Sequence, residues 1–262
     1  EFELIPAVIA LTAVCIANYT DLRKRIIPNR LTFPLIGVGV AFYVILGILS
    51  ELGLLSLPPE LARWGLWITI FGAVGAALAF AIGYVMWLTG GWAGGDVKLF
   101  TALGALLPFY TSPHVNDVPY PFPLTILFNS VIAILPILLV YTAYCRLRGS
   151  SVLYERVKIT ELREGMIPAE TIYEKDGRVS RWSSKFGLKP RYDRLYANPR
   201  RAAGLTRYQV GALKRLVRER KLKNYIKLKK GIPFAPALGL GVAIGIFYGD
   251  LYWRFILALS GA

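Results

Sequence analysis

Residues 64–88 read WGLWITIFGAVGAALAFAIGYVMWL, and residues 89–100, TGGWAGGDVKLF, follow directly. The first string carries no charge over a length that crosses a hydrocarbon core, which takes roughly 17–25 apolar residues. The second breaks on glycines and introduces Asp96 and Lys98. A chain that reads this way crosses a bilayer and then sets a carboxylate at its edge.

Working outward, similar apolar runs cover residues 2–19, 31–50, 122–145 and 232–259, and a shorter one follows Asp96 over residues 97–110. The first run lacks a basic start and a small-residue cleavage site, so it is expected to be a retained span rather than a secretory signal. The composition agrees: 55% hydrophobic, 18% charged and a mean hydropathy of +0.48 exclude an ordinary soluble domain. Cys15 and Cys145 both fall in or beside apolar runs and form no cluster of metal-binding spacing. The expected fold class is an all-α polytopic membrane protein with six transmembrane helices and a small α+β cytoplasmic insertion.

The net charge of +15 is concentrated in one place. Residues 146–230 hold 24 Lys and Arg against 8 Asp and Glu, whereas the rest of the chain is close to neutral. With six crossings this block shares a side with Arg23, Lys24, Arg25, Arg30 and Lys98, while the opposite loops carry Glu51, Glu60, Arg63 and Asp117. The positive-inside rule then puts the block, Asp21 and Asp96 at the cytoplasmic face of the cell membrane, with both termini outside. Three regions result: 1–145 with spans one to five and both aspartates, 146–231 as the basic insertion, and 232–262 with the sixth span.

Inside the insertion, residues 157–162 have strand character, and Asp176-Gly177 separates two β-prone runs in 171–182, the composition of a two-residue hairpin. Residues 185–199 read as loop. Thr206 with Gln209 makes a capping box, and Val210, Leu213, Leu216 and Val217 form the apolar stripe of a helix.

Carboxylates at a membrane boundary are costly and call for a partner or a function. Taken singly, Asp96 is what a helix start carries, and Asp21 beside Arg23, Lys24 and Arg25 is a solvated charge. Taken together they permit chemistry. Two carboxylates in close approach share one proton. The ionised member can accept a proton from an attacking water, and the protonated member can donate to the carbonyl oxygen and then to the leaving amine. Such peptide hydrolysis requires neither cofactor nor metal. Gly90, Gly91, Gly94 and Gly95 around Asp96 leave the backbone bare where a substrate chain can approach.

The flanking residues resemble a known family. Asp21-Leu22-Arg23-Lys24-Arg25-Ile26-Ile27-Pro28-Asn29 is similar to the first motif of the type IV prepilin peptidases, an Asp followed by Ile-Pro-Asn. Gly94-Gly95-Asp96-Val97-Lys98-Leu99 looks like their GxGD motif, with Ala93 standing where the first glycine usually sits. Ile232-Pro233-Phe234-Ala235-Pro236-Ala237-Leu238 resembles the start of their last span. The resemblance implies an aspartyl endopeptidase with catalytic Asp21 and Asp96, supported by Gly94, Gly95, Lys98, Pro28 and Asn29. It would remove short basic leaders from prepilin- or archaellin-like precursors. The insertion, through Glu164-Gly165, Ile167-Pro168-Ala169-Glu170 and Gly204-Leu205-Thr206, looks more like the archaeal members. No residues are present for the methyltransferase activity of the bacterial branch, so methylation is not expected.

Two alternatives compete. Presenilin-like intramembrane proteases also use GxGD and a Pro-Ala-Leu, but place their aspartates deep in spans. A cation-coupled transporter would use the two carboxylates as an ion site, although no internal repeat is visible. For the basic block, anionic lipid is the expected partner and nucleic acid is not. Glu161, Glu164, Glu170 and Glu174 are candidates for attracting a basic leader. His114 reads as a surface residue, Lys98 as either a partner of the site or a snorkelling span end, and Trp64, Trp67, Trp87, Trp92 and Trp253 as interfacial aromatics.

Overall fold

The structure, a computed structural model, describes residues 2–111, 118–148, 151, 154–182, 191–199, 204–229 and 234–260. His114, Asp117, Ile232 and Pro233 lie outside the described residues, as does the stretch 183–190. The helices in chain order are α1 (Leu4–Lys24), α2 (Asn29–Glu51), α3 (Pro59–Ala62), α4 (Phe71–Leu88), α5 (Gly94–Leu106), α6 (Phe122–Leu147), α7 (Arg207–Arg218), α8 (Ala235–Phe247) and α9 (Leu251–Ser260). The strands are β1 (Tyr154–Val157), β2 (Thr171–Lys175), β3 (Arg178–Trp182), β4 (Arg194–Ala197) and β5 (Ile226–Lys229). The molecule is mostly helical, with a small sheet region, and divides into two compact units, Glu1–Leu139 with Pro233–Ala262, and Val140–Ile232.

In the first unit the helices turn small residues to one another and large apolar ones outward. On α1, Ala7, Ala10, Val14, Ala17 and Asp21 recur at three- and four-residue spacing and are buried, while Ile5, Val8, Ile16 and Tyr19 are exposed. That inversion of the usual pattern suits a surface whose solvent is lipid, where helix packing depends on close approach of small residues. Among the described residues, α1, α2, the stretch Gly65–Leu88 ending in α4, and α6 are long and apolar enough to cross a membrane, and α8 with α9 counts as a fifth if the bent pair is one span.

Several sequence expectations are corrected here. The apolar run at residues 2–19 does not end the helix: α1 continues through the helix-forming Leu22, Arg23 and Lys24, so Asp21 lies in its last turns. It stops where Arg25 turns left-handed, at φ 55°, and donates its N–H to the Asp21 carbonyl at 2.8 Å. Pro28 then precedes α2 in an extended conformation, leaving only Arg25–Pro28 between the two helices. The last apolar run is broken by a 57° bend between α8 and α9. Gly249 takes φ 100° there, and buried Asp250 accepts from the Trp253 N–H and the Tyr120 hydroxyl, each at 2.8 Å. Buried Asn129 donates to the Gly249 carbonyl and accepts from the Leu251 N–H, both at 2.9 Å, so the backbone groups freed by the bend are met by side chains.

At 13 residues, α5 is about 20 Å long and does not match a hydrocarbon core of about 30 Å. Every residue from Asp96 to Leu106 except Lys98 is nevertheless buried, because α2 and α4 pack against it. Contact is backbone to backbone: a Cβ at Gly39 would stand 2.6 Å from the Ala105 carbonyl carbon, and Cβ atoms at Gly75 and Gly104 would each strike the other's carbonyl oxygen. Trp92, read from sequence as an interfacial aromatic, is instead buried against Phe100 and Phe234, at centroid distances of 5.3 and 5.0 Å.

In the second unit β2 and β3 form the hairpin, with Asp176 and Gly177 both at positive φ, and β4 pairs with the other edge of β2. The strand β4 falls in the stretch 185–199 expected as loop; Leu195 and Tyr196 are both half-buried beside buried Ala197, so no clean alternation announces it. The strand expected at 157–162 lies earlier, in β1, which pairs with β5; Ile159–Glu161 is a 3-10 turn that buries Ile159 and Leu162 together. Helix α7 begins at Thr206, whose side chain and that of Gln209 cap each other's backbone N–H, and its stripe of Val210, Leu213 and Leu216 closes the core of this unit.

Glu170 is not available to attract a leader. It is buried, accepts from Arg181 at 3.2 Å and from the Lys227 N–H at 3.0 Å, while Arg181 also donates to the carbonyls of Lys223 and Tyr225. Glu170→Ala is expected to destabilise this unit by about 2 kcal/mol, since it strands a buried donor and a guanidinium. Limited proteolysis of the second unit in the full-length protein checks this.

Candidate active site

Helix α1 delivers Asp21 and helix α5 delivers Asp96, and both carboxylates are buried, at 7% and 5% exposure. Helices α1 and α5 pack against each other in the first unit. Asp96 occupies the third position of α5, and its Oδ2 accepts from the Ala93 N–H at 3.0 Å, half of a capping box, the other half being absent because alanine has no side-chain oxygen. Asp21 accepts from the backbone N–H of Ala235, in the first turn of α8, where helix N–H groups have no intrahelical acceptor. Its Oδ2 is buried and has no hydrogen-bond partner among the described residues. Burying a carboxylate with an unpartnered oxygen is costly in folding energy.

The motif residues assemble around the pair. Lys98 Nζ donates to Asn29 Oδ1 at 2.8 Å and lies 5.3 Å from the Phe33 ring centre, so it ties the start of α2 to α5 rather than pairing with Asp96. Ile27, buried between Arg25 and Pro28, packs against Gly95, where a Cβ would stand 3.2 Å from its Cβ. The departure at Ala93 is harmless to the backbone: φ −83° and ψ 158° are extended values open to any residue. Glycine is favoured instead at Gly90, with φ 79°, and Gly95 lies close against the Ile27 side chain.

Gly94 meets nothing within 4 Å. Gly94→Ala is therefore expected to leave peptidase activity within about twofold, whereas Gly95→Ala, which moves Ile27 or α5 by a few tenths of an ångström, should lower it about tenfold. Turnover of a precursor by the two variants compares them directly.

Sequence reasoning did not single out Ile27 or the Ala235 N–H. The signal for Ala235 was present in Ala235-Pro236: proline lacks an N–H and sits readily in a first turn, marking a helix start whose free donors face a neighbour.

Comparison with known proteins gives three findings. Residues 8–139 match the type IV leader peptidase family. Residues 129–191 match the archaeal peptidase A24 C-terminal domain. The protein described as prepilin peptidase EppA, from Methanothermobacter thermautotrophicus, is 28% identical over 95% of this chain and 95% of its own length.

Proposed function

Since this chain belongs to the type IV leader peptidase family and is an aspartic-type prepilin peptidase, we propose that Asp21 and Asp96 are its catalytic pair and that it removes short basic leaders from prepilin- or archaellin-like precursors at the cytoplasmic edge of the cell membrane. The observation that carries this reading is the burial of two carboxylates delivered by two different helices, one of them with an unpartnered oxygen.

The chemistry follows from a shared proton. The ionised carboxylate takes a proton from a water as its oxygen attacks the scissile carbonyl carbon, and the protonated one gives its proton to the carbonyl oxygen. Collapse of the tetrahedral species breaks the C–N bond as a proton passes to the amine, and the pair returns to one proton. Lys98, Asn29, Pro28 and Gly95 hold the two helix ends in register, while Gly94 leaves the start of α5 open. Asp21 in the last turns of α1, followed by Arg23, Lys24 and Arg25, supports cleavage at the edge rather than within a span.

In this reading residues 1–145 and 232–262 make six spans, with α5 as the short fourth, and residues 146–231 form a cytoplasmic insertion whose basic surface meets anionic lipid rather than nucleic acid. The test is cleavage of a precursor carrying a basic leader and an apolar segment, using the full-length protein in liposomes. Product masses should place the cut just before the apolar segment. Cuts inside that segment, or none, would overturn the proposal. Thiol labelling of a cysteine introduced at Ser151 should proceed from the cytoplasmic side only.

A further inference from the structure

Asn18 lies one turn before Asp21 on the same face of α1, about 4.5 Å along the axis toward the interior of the span. A lone asparagine in an apolar run usually closes a hydrogen bond to another helix. Here the Oδ1 is buried and, like Asp21 Oδ2, has no partner among the described residues.

Helix α8 is shaped to hold it there. Ala235, whose N–H reaches Asp21, and Gly239 are four residues apart and so share a face. A Cβ at 239 would strike Asn18 Nδ2 and stand 3.3 Å from its Cγ and 3.4 Å from its Oδ1. Glycine leaves the space that the carboxamide fills. The α1–α8 seam thus presents two unpartnered acceptor oxygens, one turn apart, in apolar surroundings where acceptors require donors. An extended peptide rises about 3.3 Å per residue and turns every second backbone N–H to the same side, so a chain whose cleaved bond stands at Asp21 brings an N–H to Asn18 within a few residues.

We propose that Asn18 is a substrate-binding residue of this peptidase, its carboxamide oxygen accepting a backbone N–H of the precursor just beyond the cleaved bond, on the side of the apolar segment. It sets which bond stands at Asp21. This rests on the leader-peptidase reading above.

The test pairs Asn18→Ala, with Asn18→Leu as a bulkier second variant, against precursor peptides in which one backbone amide at the second, third or fourth residue after the cut is replaced by an ester. On the all-amide precursor kcat/KM should fall about tenfold in the variants, the size of one neutral hydrogen bond. For one of the esters, wild type and variant should differ by less than about twofold, because the accepted N–H is already gone. Gly239→Ala, which displaces the carboxamide, should show the same ester dependence. Equal losses on every substrate would make Asn18 purely structural and overturn the inference, as would no loss on any. If the wild-type protein cleaves none of the precursors, the leader-peptidase reading falls and this inference with it; cleavage by wild type without ester dependence removes this inference alone.

Discussion

Asp96→Asn is expected to lower kcat/KM for precursor cleavage by at least about a thousandfold, and Asp21→Asn by a similar factor, with no loss of thermal stability. Removing a positioned acid or base costs about 10²–10⁴, and two groups that share one proton fail together, so the double variant should be no worse than either single one. Stability is preserved for a structural reason. The Asp96 interaction visible in the fold is acceptance from the Ala93 N–H, and an asparagine oxygen accepts equally well. For Asp21, an amide placed where Oδ2 is buried without a partner removes a desolvated charge. The pH profile offers a second check: activity needs one proton on the pair, so it should fall both where the two ionise and where the two are protonated, and either asparagine variant should lose that bell shape. Cleavage within tenfold of wild type by either variant would remove the aspartates from the chemistry.

How much of this was legible in the sequence depends on range. Signals that act within a few residues survived: Asp176-Gly177 makes the hairpin, Thr206 with Gln209 starts α7, and the apolar runs are helices. Signals that depend on a partner did not. The left-handed Arg25 that ends α1 has no local marker, because the favoured residue for that conformation is glycine. Nothing in residues 191–199 announces β4, whose reason for being extended is the free edge of β2. The bend at Gly249 is readable as a glycine but is stable only because Asn129 and Tyr120, more than a hundred residues away, complete its hydrogen bonds. For the candidate site, the two aspartates and the residues around them stood out by spacing. Ile27 was quoted only as part of a motif, and Asn18, Gly239 and the Ala235 N–H were passed over, because their meaning lies in what faces them across α5 and α8.

The same dependence on a facing surface makes Gly104→Ala a substitution expected to cost heavily in stability. An alanine Cβ there would strike the Gly75 carbonyl oxygen and stand 2.6 Å from the Ala79 Cβ and 3.0 Å from the Gly75 carbonyl carbon. Two of these three atoms are backbone, so no rotamer change relieves the clash and α4 must separate from α5. Overpacking of this kind costs about 3 kcal/mol at the upper end of the usual range, and separated helices also lose the close approach that drives association in lipid. Gly75→Ala meets the reciprocal wall at the Gly104 carbonyl oxygen and at Pro108, 2.6 Å away. Once the helices have parted for one substitution, the second has less left to disrupt, so the double variant should cost clearly less than the two single costs added. Gly37→Ala is the control, since a Cβ there meets nothing within 4 Å and alanine is the better helix former. Thermal unfolding in liposomes should rank Gly37→Ala at or above wild type and Gly104→Ala well below it. Activity should follow a different rule from stability: a shift of α5 carries Asp96 with it, and displacement by about 1 Å can cost a hundredfold in rate. Gly104→Ala protein assayed below its unfolding temperature should therefore remain slow, whereas Glu170→Ala protein, whose fault lies in the second unit, should recover its turnover on cooling.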